Sequence, residues 1–210
     1  MSKKYIFMTG APGSKWSSVC KNIYYSDSID RSDYTEGRTY YHDATGSMQL
    51  MHLGAYFDPW NEFGYYFHEW HLFQDRRENF ETEFDKPFTG TGTRIIKSHY
   101  FAHKIDYLKQ MFPEIPIVLV HRSNDSCLGW WVRCGFFTIT YPLYAKYYKD
   151  LKQMGKEIDR QNADILAAWD KYKAIKVNSN IELASVLGID LPNERWYQNY
   201  ADHDIRVGVI

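Results

Sequence analysis

Tyr5-Ile6-Phe7-Met8-Thr9-Gly10-Ala11-Pro12-Gly13-Ser14-Lys15-Trp16-Ser17-Ser18 is the stretch that decides the fold. Residues 5–9 are aromatic and apolar and read as a strand. Gly10, Pro12 and Gly13 then make a tight turn, and residues 15–25 carry Trp16, Val19, Cys20 and Ile23 at helical spacing. Strand, glycine-rich turn and helix in that order open many α/β nucleotide-binding domains. The turn also implies a chemistry. Glycine lets the backbone approach a ligand without a Cβ in the way. The first turn of a helix presents N–H groups that lack intrahelical partners, and the two together bind anions. Lys15 adds a positive charge, and Ser14, Ser17 and Ser18 add hydroxyl donors. The stretch departs from a nucleoside-triphosphate loop. Gly10 to Lys15 is one residue short of GxxxxGK, no glycine directly precedes Lys15, and Trp16 stands where Ser or Thr would hold magnesium.

Two further strand ends carry polar groups. Residues 93–98 read as a short strand leading into Lys97-Ser98-His99. Positions 97 and 99 leave a strand on the same side, which pairs a cation with an imidazole whose ordinary pKa lies near neutrality. The residues alone leave open whether His99 is a base or a hydrogen-bonded structural ring. Ile117-Val118-Leu119-Val120 is the strongest strand, an unbroken apolar run suited to a central parallel position covered on both faces. It ends in His121-Arg122, followed by Ser123 and Ser126 near a helix start. An arginine there can hold a phosphate bidentately or serve as a surface ion-pair partner. In α/β sheets ligands collect at the carboxyl ends of the strands, so all three groups belong to one edge.

The fold class expected is therefore α/β, a P-loop-type three-layer fold with a central, mostly parallel sheet flanked by helices. One domain is expected over residues 1–210, with residues 27–92 as an insert or acceptor-side region. Within that region residues 27–43 read as loop, residues 48–55 as a short helix, and residues 56–73 as an aromatic segment containing Trp60, Tyr65 and Trp70. Helices are expected over residues 101–111, 127–137 with a break near Gly135, and 181–187 with a stop at Gly188. Residues 144–172 read as two helices, residues 174–177 as a final short strand, and the chain from residue 191 onward as a tail.

Composition narrows the function classes. The net charge of −1 gives no general pull toward nucleic acid or an anionic membrane. No run of apolar residues reaches the length of a membrane span, and the apolar run near the start is too short for a signal peptide. The expected setting is cytoplasmic. Cys20, Cys127 and Cys134 form no metal-binding pattern and read as reduced, small buried side chains. The other histidines, among them His52, His68, His71 and His103, read as structural or surface residues.

The three stretches, in this order, resemble the sulfotransferases that use 3′-phosphoadenosine 5′-phosphosulfate (PAPS). Thr9, Gly10, Pro12 and Ser14 match that family's 5′-phosphosulfate loop. Gly13 stands where the family carries a basic residue, Lys15 where it carries glycine, and Trp16 and Ser17 replace its hydroxyl pair. Lys97-Ser98-His99 is similar to the Lys-Thr-His signature, and Arg122 to the arginine that ends the strand before the 3′-phosphate segment. The resemblance implies transfer of a sulfuryl group from PAPS to an acceptor hydroxyl or amine, leaving 3′,5′-ADP and needing no metal. It implies His99 as general base, with Lys97 and Lys15 at the same centre. It places Gly10, Pro12, Gly13, Ser14, Lys15, Trp16 and Ser17 on the 5′ side of PAPS and Arg122 and Ser126 on the 3′ side. The family's late Arg-Lys-Gly element is not evident, and Arg195 and Arg206 are both open as replacements. The acceptor would be a small molecule or glycan, with no nucleic acid or membrane partner and a homo-oligomer left open. Two other readings remain: a P-loop small-molecule kinase, and a catalytically silent nucleotide-binding or structural protein on the same scaffold.

Overall fold

Strand β1 (Tyr5–Gly10) is buried along its whole length in the computed structural model, which describes residues 4–33, 39–41, 49–51, 55–56, 76–133, 150–191 and 203–208. It runs into α1 (Trp16–Tyr24). The short strands β2 (Thr39–Tyr41) and β3 (Gln49–Met51) pair antiparallel with each other, and β4 (Ala55–Tyr56) follows. Then come α2 (Arg77–Asp85), β5 (Arg94–Lys97), a 3-10 helix (His99–Lys104), α3 (Ile105–Met111), β6 (Ile117–His121) and α4 (Asn124–Arg133). The rest is α5 (Leu151–Lys171), β7 (Ile175–Val177), α6 (Asn180–Leu187) and β8 (Asp204–Gly208).

Six strands form the main sheet in the order β4-β5-β1-β6-β8-β7. The pairs β4–β5, β5–β1 and β1–β6 are parallel, whereas β8 is antiparallel to both β6 and β7. Strand side chains alternate between faces, and two cores result. Tyr5, Phe7, Ile96 and Leu119 face α2, α3 and α5 through Phe80, Phe84, Phe101, Phe112 and Trp169. Phe7 alone has the rings of Phe112, Phe101 and Phe84 within 5.3, 5.7 and 5.6 Å, edge-on to it. Ile6, Met8, Ile95, Val118 and Val120 face α1 and α6 through Val19, Ile23, Leu183 and Leu187. The result is an α/β protein with a mixed sheet flanked by helices.

Five readings of the sequence change. Residues 204–208, expected as part of a tail, form β8 inside the sheet, with Ile205 and Val207 fully buried. β6 consequently has a parallel neighbour on one side only, and residues 175–177 do not supply the last strand. Residues 39–41, expected as loop, form β2, and residues 49–51 and Ala55, expected as part of a helix, lie in β3 and β4. The described part of residues 144–172 is one helix of 21 residues, begun by Asp150, whose carboxylate accepts from the Gln153 N–H at 2.8 Å. Residues 57–75, with Trp60, Tyr65 and the aromatic segment, lie outside the described residues, as do residues 134–149 and Cys134.

Candidate functional site

Because β1, β5 and β6 are parallel, their carboxyl ends meet at one edge. The loop after β1 closes tightly there, with the Ser14 N–H donating to the Ala11 carbonyl at 3.0 Å across Pro12 and Gly13. Gly13 has φ +80°, and a Cβ on it would stand 2.0 Å from the Cys127 carbonyl oxygen. α4 therefore excludes any side chain at this position. A Cβ at Gly10 would meet Ser14 Oγ at 2.6 Å. Lys15 follows in the left-handed region, φ 59° and ψ 22°, and starts α1 without a side-chain cap. The Ser18 N–H reaches back to the Lys15 carbonyl at 2.9 Å. Ser14 and Thr9 are fully buried, and among the described residues their hydroxyl oxygens have no hydrogen-bond partner. An unpartnered buried hydroxyl costs free energy unless a ligand completes it, and Ser14 Oγ lies inside the loop that would hold an anion.

β5 delivers Lys97 and His99 to the same ring. Lys97, fully buried, has its Nζ 5.6 Å from the Trp16 ring centroid. The His99 ring, 8% exposed as a residue, lies 4.5 Å from that same ring at a 43° tilt. The cation and the imidazole thus both contact Trp16. His99 Nδ1 is 2.5 Å from the Gly10 carbonyl oxygen. A carbonyl only accepts, so Nδ1 carries the hydrogen, and the lone pair of the neutral ring sits on Nε2.

Arg122 is held differently from the expectation for a phosphate ligand. Its Nη1 donates to the carbonyls of Gly13 and Ser126 at 3.4 and 3.3 Å, so it braces the loop against α4. Ser126 enters through its backbone: its carbonyl accepts from Arg122 and its N–H donates to Ser123 Oγ at 3.3 Å. Lys15 Nζ stands 4.2 Å over the Trp130 ring, with Arg133 at 5.7 Å from the same ring. Ser17 lies in the first turn of α1. The loop residues, Lys97, His99, Arg122 and Ser126 therefore share one edge. Arg206 instead lies over Trp169 at 4.3 Å, paired with Asp204 at 3.5 Å, on the α5 face of the sheet. Arg195 is outside the described residues.

Sequence reasoning missed His203, whose Nε2 lies 2.9 Å from the Ser14 carbonyl. The usable signal was the alternation of Ile205 and Val207 with Asp204 and Arg206, which marks a strand and so sets where residue 203 stands. His103 is held between Asp164 at 2.6 Å and Glu157 at 3.1 Å, where α5 meets the 3-10 helix. Burial pushes the Glu157 carboxyl up, and hydrogen bonds from His103, Gln161 and Arg160 outweigh it, leaving the group below its ordinary value. Burial pushes the Cys20 thiol up to about 11 and the Cys127 thiol up to about 12, with the charges of Lys97 and Arg122 opposing the shift. Both are protonated, buried side chains without a disulfide. Among the described residues no helix is long and apolar enough to cross a membrane.

Comparison of the chain with protein-family models, with curated proteins and with solved structures found no match.

Proposed function

We propose that this chain is a PAPS-dependent sulfotransferase on a P-loop-type α/β scaffold, working on the hydroxyl or amine of a small-molecule or glycan acceptor in a reducing, cytoplasmic setting. The observation that carries the reading is that Lys97 and His99 both lie against the Trp16 ring, with the His99 ring bonded through Nδ1–H to the first residue of the anion loop. PAPS supplies the sulfuryl group and leaves as 3′,5′-ADP. His99 Nε2 accepts the proton of the attacking hydroxyl, and its Nδ1–H bond to Gly10 keeps the ring in the tautomer that can do so. Lys97 sets a positive charge beside the loop, where negative charge develops. Ser14 Oγ and the first-turn N–H groups of α1 complete the phosphosulfate side.

One observation favours a second reading, a silent nucleotide-binding protein. Lys15 is drawn onto Trp130, and Arg122 is engaged by backbone carbonyls. Calorimetry separates the readings. Selective micromolar binding of 3′,5′-ADP over ATP with magnesium is expected. Preference for ATP with magnesium turns the assignment to a kinase, and binding without transfer across an acceptor screen favours the silent protein. His99→Ala should lower turnover by about 10²–10⁴-fold while 3′,5′-ADP affinity stays within a few fold. Turnover equal to that of the unaltered chain would remove the base assignment.

A further inference from the structure

β8 brings a group to the anion loop that the proposed chemistry does not use. The strand is antiparallel to β6, with Asp204 opposite His121 and Val207 opposite Val118. It therefore begins at the edge where β1, β5 and β6 end. A parallel strand in that slot would point its other end there. His203 stands just before β8, and its Nε2 lies 2.9 Å from the Ser14 carbonyl oxygen. The carbonyl can only accept, so Nε2 carries a hydrogen and donates it.

The Ser14 carbonyl belongs to the peptide that leads into Lys15, the residue with φ 59°. That backbone region is costly for a residue with a Cβ and needs support from its surroundings. In a trans peptide the C=O and N–H point in opposite directions. A donor that draws the Ser14 oxygen toward itself turns the Lys15 N–H the other way. Two further carbonyls of the loop are held in the same manner, Gly10 by His99 Nδ1 and Gly13 by Arg122 Nη1. The three donors come from the ends of three different strands, β5, β6 and β8. Carbonyl oxygens repel an anion, so a loop that binds one must have its oxygens held elsewhere.

We propose that His203 is a positioning residue of the anion site: its Nε2–H bond to the Ser14 carbonyl holds that oxygen in place on the Ser14–Lys15 peptide, so that it does not turn toward a bound phosphate or sulfate group. This rests on the reading of the loop as an anion site, and it does not require the anion to be PAPS. The test uses the full chain at pH 8 with inorganic pyrophosphate and 3′,5′-ADP as separate calorimetric probes. His203→Ala should weaken both by about fivefold, the worth of one neutral hydrogen bond. His203→Gln, whose amide can donate in place of the ring, should restore affinity to within about twofold. Nitrogen-15 spectra of the ring in the unaltered chain should show the Nε2–H tautomer. Unchanged affinity in His203→Ala, equal loss in His203→Gln, or the Nδ1–H tautomer would each overturn the proposal. If His203→Ala does not fold, the tautomer and the Gln variant decide. Pyrophosphate binding that depends on His203 without binding of 3′,5′-ADP would remove the sulfotransferase reading and keep this one. Binding of neither probe would remove both.

Discussion

Gly13 occupies a position that cannot carry a side chain. The Cys127 carbonyl of α4 stands 2.0 Å from where a Cβ would be, and φ is +80°. No side chain fits, and the positive charge appears two residues later, at Lys15. Gly13→Ala should destabilise the chain by more than about 1 kcal/mol from backbone strain alone, with the contact to α4 adding to that loss. Gly13→Lys, which puts a cation at the position where the resembled sulfotransferases carry one, should fare no better. Urea unfolding together with pyrophosphate binding checks both variants, and native-like values in either would contradict the packing described. Trp16 was legible in the sequence as a helix residue at core spacing, as the occupant of a magnesium-ligand position, and through the resemblance as a residue on the 5′ side of PAPS. Its contact with both Lys97 and His99 depends on two strands meeting, which no local pattern encodes.

At the scale of elements, α5 is the support behind the site. Its buried residues Met154, Ile158, Ile165 and Trp169 follow helical spacing, yet Glu157, Gln161 and Asn162 share the buried face. Asn162 donates to the Arg122 carbonyl at 2.9 Å and to Asn124 Oδ1 at 2.6 Å, joining α5 to the end of β6 and the start of α4. Asn162→Ala should lower stability by about 1–3 kcal/mol, the usual cost of stranding buried polar groups. A loss under about 0.5 kcal/mol in urea unfolding would show that α5 does not brace Arg122. The strands β1, β5 and β6 and the helices α1 and α6 were readable because continuous apolar runs and helical spacing coincide with glycine turns. α5 was divided in the reading because its first turns are polar. Gly155, which has open space beside it, does not break the helix. Residues 49–51 were misassigned because a few apolar residues fit either period.

For the molecule as a whole, β8 decides the topology. Its five residues pair with all of β6 and all of β7, so β6 and β7 share a sheet only through it. Ile205 and Val207 complete the core beneath α1 and α6. Deleting residues 203–210 should abolish the cooperative thermal transition, as followed by circular dichroism. A sharp transition in the truncated chain would mean that the sheet can close without β8. The reading of this segment as a tail failed because the alternation is short and two of its members, Asp204 and Arg206, are charged. The layered α/β class was legible from the parallel half of the sheet, whereas the antiparallel insertion was not. That insertion is also what places His203 beside the loop.

The order of the sheet leaves its smallest strands outermost, β4 with two residues and β7 with three. An incoming chain that adds itself to a sheet needs a run of open N–H and C=O groups as a template. The long strands that could offer one, β1 and β6, are enclosed on both sides. Among the described residues, edge-to-edge recruitment, the usual route from a folded sheet to a fibre, therefore has little of the main sheet to grip.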